Sequence, residues 1–438
     1  MVANLTTLPD SLVPGDVGYD DAAQVLFAKG RPAIVIRPST RGEVADAVLH
    51  ARRSGLEIAV RSGGHGLLGH GTSDGGVVLD LARLDHVDVL DVERRLVRIG
   101  GGARWGQVDE ALRPLGWAIS SGDTAGVGVG GLTLGGGFGW LLRKHGLAID
   151  NLVAARVVLA DGTMVATSEA QHPELFWALR GGGGNFGVVV DFDFMAAEVA
   201  TVQFGEIAYQ PSEEIDLLAG WRDVMREAPT KVTSAVTLLP AVGSGEPTAM
   251  VRVYVADCDA DAADRAIEPF LGIGSVIRAT IKERAYGDLL EPGAAPPPGL
   301  RMVGRNTLVR ELDAATLDAL HRFRRSSPSV AVTLRSLGGA YGEVPCDATA
   351  FAHRDAEAMI LGMPMVPQPD RASQEEAVLT AWGDVAAHGS GVYLNFQSSA
   401  TPADLAAAYP PATYARLVAV KREYDPDNVF ARNHNVAP

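Results

Sequence analysis

Apolar positions along the first third of the chain alternate between a strand rhythm and a helix rhythm. Ala33 to Arg37, bracketed by Pro32 and Pro38, reads as a strand. Thr40 with Glu43 three residues on forms a capping box, Val44, Ala47, Val48 and Ala51 keep the helical period, and Gly55 is placed to stop the helix. Ile58 to Arg61 predicts a second strand, so the glycine-rich segment after it leaves a βαβ unit at the end where α/β folds bind ligands. Val77 to Leu81 and Leu96 to Ile99 predict further strands, and Trp105 to Leu115 a short helix. Ala154 to Leu159 and Thr163 to Thr167 pair as a hairpin across Asp161-Gly162, and Val188 to Phe194 predicts a strand that alternates polar and apolar residues.

Beyond about residue 200 the glycine clusters stop. Strands such as Ala235 to Leu239 and Met250 to Val255 alternate with helical stretches, the pattern of a second domain of α+β type. The Pro-rich stretch Glu291 to Gly299 is either a surface excursion or a lid over a cavity. A chain of 438 residues predicts two or three domains, and 47% hydrophobic with 21% charged residues is an ordinary globular balance.

A formal charge of −15 argues against nucleic acid or an anionic membrane as partner, which leaves a small-molecule substrate. With only Cys258 and Cys346 present, no cysteine and histidine spacing points to a metal, and a reduced, cytoplasmic setting is expected. The N-terminal stretch from Met1 to Asp16 has no basic start followed by an apolar run, and no apolar run is long enough to span a bilayer. The oligomeric state is left open.

The chemistry concentrates in glycine. Arg61-Ser62-Gly63-Gly64-His65-Gly66 offers uncovered backbone amides, a cation, a hydroxyl and an imidazole able to serve as ligand, base or nucleophile, unless it is a glycine turn with an incidental histidine. Eight of the fourteen residues from Gly126 to Gly139 are glycine. Gly126 to Gly131 satisfies the dinucleotide pattern G-x-G-x-x-G, yet the glycines at 135, 136, 137 and 139 each cost a helix about 1 kcal/mol. An extended loop is therefore expected, its amides laid along a flat or anionic ligand. A third cluster, Arg180 to Gly187, runs into the strand at Val188. Glycine loops followed by a separate α+β domain fit a flavin dinucleotide, whose pyrophosphate needs convergent donors and whose ring needs close backbone.

At these residues the chain resembles the vanillyl-alcohol-oxidase type of FAD-linked oxidoreductases, and within it the berberine-bridge-enzyme-like branch. The motifs are RSGGHG at Arg61 to Gly66, GVGVGGLTLGGGFGWL at Gly126 to Leu141, GLAIDN at Gly146 to Asn151, RGGGGNFGVV at Arg180 to Val189, YLNF at Tyr393 to Phe396 and YDPDNVF at Tyr424 to Phe430. The resemblance implies an α+β fold: a two-lobed PCMH-type FAD-binding domain over residues 1–200, a substrate domain on a large antiparallel sheet over 201–394, and a segment, 395–438, that returns to the FAD domain. It implies FAD bonded covalently to His65. Many members of the branch have a second, cysteine tether; Thr124 stands at that position here and cannot form it, so His65 is expected to be the sole link. The resemblance further places Arg61, Ser62, Gly63, Gly64, Gly66, Val127, Gly128, Gly130, Gly131, Gly135, Gly136, Gly137, Asn151, Val153, Asn395 and Asn428 among the cofactor-binding residues. Val127 matches a position where a valine-sized side chain leaves room for dioxygen, which favours an oxidase.

Hydride removal from an alcohol or amine needs a base for the heteroatom proton. Tyr393 matches a tyrosine the family uses near the flavin, and Asn395 is expected on the same strand face two residues on. Thr349 to Arg354 resembles a family turn leading into a strand that faces the active site. In relatives that strand carries a lysine and a glutamine or glutamate; an ungapped reading puts Ile360 and Gly362 there. A roomy, apolar pocket follows, lined by adaptable methionines. The expected activity is oxidation of a bulky, partly apolar alcohol or amine with dioxygen as acceptor. Oxidative cyclisation, flavin-dependent oxygenation and flavin binding without turnover are the alternatives.

Overall fold

The computed structural model describes residues 10–199, 201–210, 214–240, 248–326, 330–367 and 371–438. The N-terminal stretch read above for a leader lies for the most part outside them.

The βαβ unit forms with a strand inserted. Val77–Asp80 lies between Ile34–Ile36 and Ile58–Arg61, parallel to both, and Ser11–Leu12 closes the edge. The intervening helix Arg41–Ser54 starts where Thr40 Oγ1 accepts from the Glu43 amide at 3.2 Å and ends at Gly55 with φ 64°. Its apolar stripe, Val44, Ala47, Val48 and Ala51, is buried against the sheet. The Glu43 carboxylate reaches one residue further back than a capping box requires, to the Ser39 amide at 2.7 Å.

Leu96–Gly100, Leu152–Val158 and Met164–Ser168 join Val87–Asp91 and Val188–Met195 in a five-stranded antiparallel sheet. The alternation read in Val188 to Phe194 does not mark a solvated face, because the strand is buried on both sides and Val190 is a bulge residue that shifts its register. Its two carboxylates are buried and paired: Asp191 meets Arg41 and His86, and Asp193 takes both arms of Arg98 at 2.7 and 2.8 Å.

The large antiparallel sheet has seven strands, ordered Val276–Ala285, Thr201–Tyr209, Thr248–Val255, Val232–Leu239, Val332–Ser336, Ala358–Gly362 and Arg305–Val309. Helices Glu214–Glu227, Ala260–Leu271, Ala314–Arg325 and Arg371–Ala386 cover one face, where Trp221, Phe270, Phe323 and Trp382 fill the core. The other face turns toward the glycine-rich segments: Phe204, Ala235 and Tyr254 pack with Trp140 and Leu141, and Met359 packs with Phe138 and Tyr393.

The chain's last helix, Pro411–Tyr424, packs on Pro173–Leu179 beside the third glycine cluster. Lys421 is fully buried there and donates to Asn185 O and Asp425 Oδ2, both at 2.7 Å, and to Phe430 O at 3.2 Å. Asp425 in turn accepts from the amides of Val429 and Phe430. Removing one member strands a buried charge. Lys421→Ala is expected to lower unfolding free energy by about 3–5 kcal/mol, read from the midpoint of urea denaturation. A loss below about 1 kcal/mol would mean that the tail is not held here.

Candidate active site

Two of the glycine segments meet backbone to backbone. A Cβ on Gly63 would collide with the Gly128 amide nitrogen, and a Cβ on Gly128 with the Gly63 amide nitrogen and Ser62 Oγ. No other residue type fits either position. Ser62 Oγ accepts from the Gly130 amide at 3.4 Å, which ties the hydroxyl to the second segment. Arg61 points the other way: its guanidinium donates to Ala22 O, Gln24 O and Asp80 Oδ2, so its charge is consumed inside the first sheet. Gly64 adopts φ +71°, and Gly66 faces open space.

The tract from Gly126 is not the extended loop that its composition predicts. Val129–Gly135 forms a short helix, ended at Gly136 with φ 134°. Tertiary hydrogen bonds outweigh the glycine penalty. Leu134 O accepts from the amides of Gly181 and Gly183, Val129 N donates to Ala103 O, and Asn395 Nδ2 donates to Gly131 O at 3.1 Å. Gly135 is needed because its Cβ would strike the Asn395 amide, and Gly137 because its Cβ would strike Ala148 and Leu132. Gly131, by contrast, has nothing within 4 Å of where a side chain would begin.

His65 lies beside Gly126, half-buried. Burial, with Arg104 nearby, lowers its pKa and keeps the imidazole neutral. Thr124, whose hydroxyl donates to Asp123 Oδ1 at 3.2 Å, lies near it, both residues bordering Gly293. The Pro-rich segment closes over both: Glu291 exchanges backbone hydrogen bonds with Asp123 and Ala125, and Gly293 lies against His65 and Thr124. The segment's remainder, residues 294–299, is largely exposed. Val127 is partly buried against the core of the five-stranded sheet.

Asn151 uses its side chain locally, donating to His145 O and Leu147 O at 2.8 and 2.9 Å. Val153 is the extra residue of a bulge between Leu152 and Ala154, and it is exposed. Asn428 sits in the left-handed region at φ 52° with its buried Oδ1 unpartnered among the described residues. Three further residues of the tail, missed in the sequence, share this property: Asn433 Oδ1, His434 Nδ1 and Asn435 Oδ1 are buried without partners among the described residues. The density of amides in Arg432-Asn433-His434-Asn435 was the available signal. The same residues clasp the third glycine cluster, where Asn433 Nδ2 donates to Gly184 O and Asn185 Nδ2 to His434 O.

Tyr393 and Asn395 come together, though on a tight turn, Leu394–Phe396, and not on a strand. Asn395 Nδ2 donates to Tyr393 Oη at 2.8 Å, and the Gly137 amide donates to the same oxygen at 3.3 Å. Burial pushes the phenol up to about 12, against the pull of these two donors. Asn306 grips the Tyr393 backbone with both ends of its amide, at 2.7 and 2.8 Å. Ile360 and Gly362 do not face this centre. Ile360 is in the helix-side core and Gly362 abuts Phe323 and Trp382, so the inward pair is Met359 and Leu361. A shift of one residue exchanges the faces of a strand. The inward face also carries polar groups: Thr237 and Thr333 share a hydrogen bond of 3.1 Å, and Arg335 pairs with Asp123 across the junction. His353 and Arg354 are structural, His353 bonding Ala408 O and Arg354 taking both oxygens of Asp150.

Residues 32–168 match the family model described as FAD binding domain, and residues 392–437 the model described as berberine and berberine like. The chain is 33% identical to (R)-6-hydroxynicotine oxidase of Paenarthrobacter nicotinovorans over 98% of this chain and 96% of that protein. A solved structure of 6-hydroxy-D-nicotine oxidase from Arthrobacter nicotinovorans superposes with a TM-score of 0.87 at 31% identity, covering 98% of both chains. Glucooligosaccharide oxidase from Acremonium strictum, whose FAD is described as 6-S-cysteinyl and 8α-N1-histidyl, superposes with a TM-score of 0.83 at 24% identity over 98% of this chain and 97% of that one.

The residues present fit FAD. Unpartnered amide oxygens in the tail and the open ground at Gly66, Gly131 and Gly184 supply polar contacts and room beside bare backbone. Gly128→Ala is expected to abolish flavin retention and folding together, because the two segments can no longer touch. Gly131→Ala is expected to leave stability equal or raised by up to about 1 kcal/mol while lowering bound flavin. Visible absorbance per protein and thermal melting read the two effects separately.

Proposed function

The chain belongs to the berberine-bridge-enzyme-like branch of FAD-dependent oxidoreductases, and from that membership we propose that it is an oxidase acting on a C–H bond of a bulky, partly apolar alcohol or amine, with dioxygen as acceptor. FAD, when bound, would supply a two-electron sink for the substrate's hydride, with dioxygen as the oxidant that is reduced to hydrogen peroxide. The observation that carries this reading is the environment of Tyr393 Oη, which accepts from the Gly137 amide and from Asn395 and so leaves its own proton directed to a third position. Two fixed donors favour the phenolate, the form that takes the heteroatom proton of an alcohol or amine. Met359 packs in one apolar cluster with Tyr393 and keeps water from the phenol.

His65 is the sole covalent anchor in this reading. Its neutral ring keeps a nitrogen lone pair available, Thr124 has no thiol, and Cys258 and Cys346 are distant in sequence from the glycine segments. Asn428, Asn433 and Asn435 hold the cofactor's polar parts through the oxygens that otherwise lack partners. Val127 leaves space for dioxygen.

Acid-precipitated wild-type protein is expected to stay yellow and His65→Ala to lose its colour; a yellow His65→Ala pellet would remove the anchor assignment. Tyr393→Phe is expected to lower kcat about 10²–10⁴-fold with flavin content unchanged. Because the active form is the phenolate and burial raises the Tyr393 pKa, kcat/KM should climb with pH through the alkaline range. Tyr393→Phe should flatten that climb, and Asn395→Ala, which removes a donor, should move it to higher pH. A pH profile identical in Tyr393→Phe would exclude this phenol as base.

A further inference from the structure

Arg335 stands on the inward face of the large sheet, between Ala235 and Met359 on the flanking strands, so no carboxylate of the sheet meets it directly across. It reaches over the domain junction to Asp123, the residue before Thr124. Its guanidinium lies 6.0 Å from the centre of the Phe396 ring, and that ring packs edge-on against Tyr393 at 5.1 Å. A single aromatic ring therefore separates the guanidinium from the proposed base. Arg335 Nε is buried and has no hydrogen-bond partner among the described residues. Leaving a buried charged donor unmatched is costly, and a guanidinium presents its donors in a fixed fork.

We propose that Arg335 orients the substrate, its Nε donating to a neutral acceptor oxygen, a carbonyl or hydroxyl, on the part of the molecule remote from the oxidised C–H bond; this rests on the oxidase reading above. Asp123 selects a neutral oxygen over a carboxylate. Burial opposes ionisation of Asp123, but the Arg335 guanidinium overrides it and keeps the carboxyl below its ordinary value. The pair is thus already charge-balanced, and a second carboxylate would enter without a counter-ion. Ala235 and Met359, on either side of Arg335, are buried apolar neighbours, so no other polar side chain of the flanking strands competes directly across for that donor. The substrate class is a bulky, partly apolar molecule with a C–H bearing alcohol or amine at one end and an acceptor oxygen at the other.

The test uses two near-isosteric probes, para-acetylbenzylamine and para-isopropylbenzylamine, titrated anaerobically into the flavin-loaded enzyme and followed by perturbation of flavin absorbance. Wild type is expected to bind the acetyl compound about ten- to hundredfold more tightly, the worth of one hydrogen bond to a charged donor. Arg335→Met should bring the two affinities to parity while leaving that for the isopropyl compound unchanged. Arg335→Lys, which keeps a cation opposite Asp123 but lacks Nε, should fold and also lose the preference. Asp123→Asn/Arg335→Met avoids a stranded carboxylate if the single variant is unstable, and should show the same parity. Equal wild-type affinities, no response to the acetyl compound at millimolar concentration, or a preference that survives in Arg335→Met would overturn the proposal. Peroxide production is measured apart: selective binding without peroxide would sink the oxidase reading and leave the role of Arg335 in place.

Discussion

Everything in this molecule that faces the site depends on one close approach, the contact of the Gly63 and Gly128 backbones. Neither segment could lie where it does with a side chain at the contact. The contact fixes the start of the helix Val129–Gly135, and that helix passes its orientation on through Gly131 O to Asn395 and through the Gly137 amide to Tyr393 Oη. One steric requirement near residue 63 therefore sets the position of a phenol more than three hundred residues away in sequence. Backbone suits this purpose, since it has no rotamers to lose and its hydrogen-bond groups are fixed by the fold.

The second half of the chain answers with side chains. Asn306 holds the Tyr393 backbone from the large sheet, and Arg335 crosses to Asp123. The turn bearing Tyr393 is thereby gripped from both sides, by glycine backbone on one and by a sheet face on the other. Rigid support of this kind is what positions a proton-transferring group within hydrogen-bond range of its target. It also explains why Tyr393 is so deeply buried: the supports that orient the phenol shut out water, and losing water is what raises its pKa.

Much of this was legible in the sequence. The strand and helix rhythm located the βαβ unit, the Asp161-Gly162 hairpin and two of the seven strands of the large sheet, Val232–Leu239 and Thr248–Val255, because those elements follow local periodicity. The glycine segments announced themselves as backbone surfaces. Three features were not legible, each for a tertiary reason. The helix in the Gly126 tract exists through hydrogen bonds from distant residues, which composition does not contain. The inward residues of Ala358–Gly362 are Met359 and Leu361 because period two leaves the choice of face to a register that only the sheet fixes. The charge of Arg61 looked available in the sequence, yet its partner Asp80 lies on the neighbouring strand.

The two halves of the site differ in how they tolerate change, and that difference follows from what each is made of. A glycine surface fails completely when a single Cβ is added, since the neighbour it meets is backbone and cannot yield. A side-chain surface fails by degrees, because Met359, Leu361, Thr333 and Arg335 can be exchanged one at a time without altering the course of the strands that carry them. The glycine side is therefore constrained to one solution, while the side-chain side is free to vary around it. In this chain that freedom has placed an arginine, charge-balanced by Asp123 across the junction, between the apolar side chains of Ala235 and Met359.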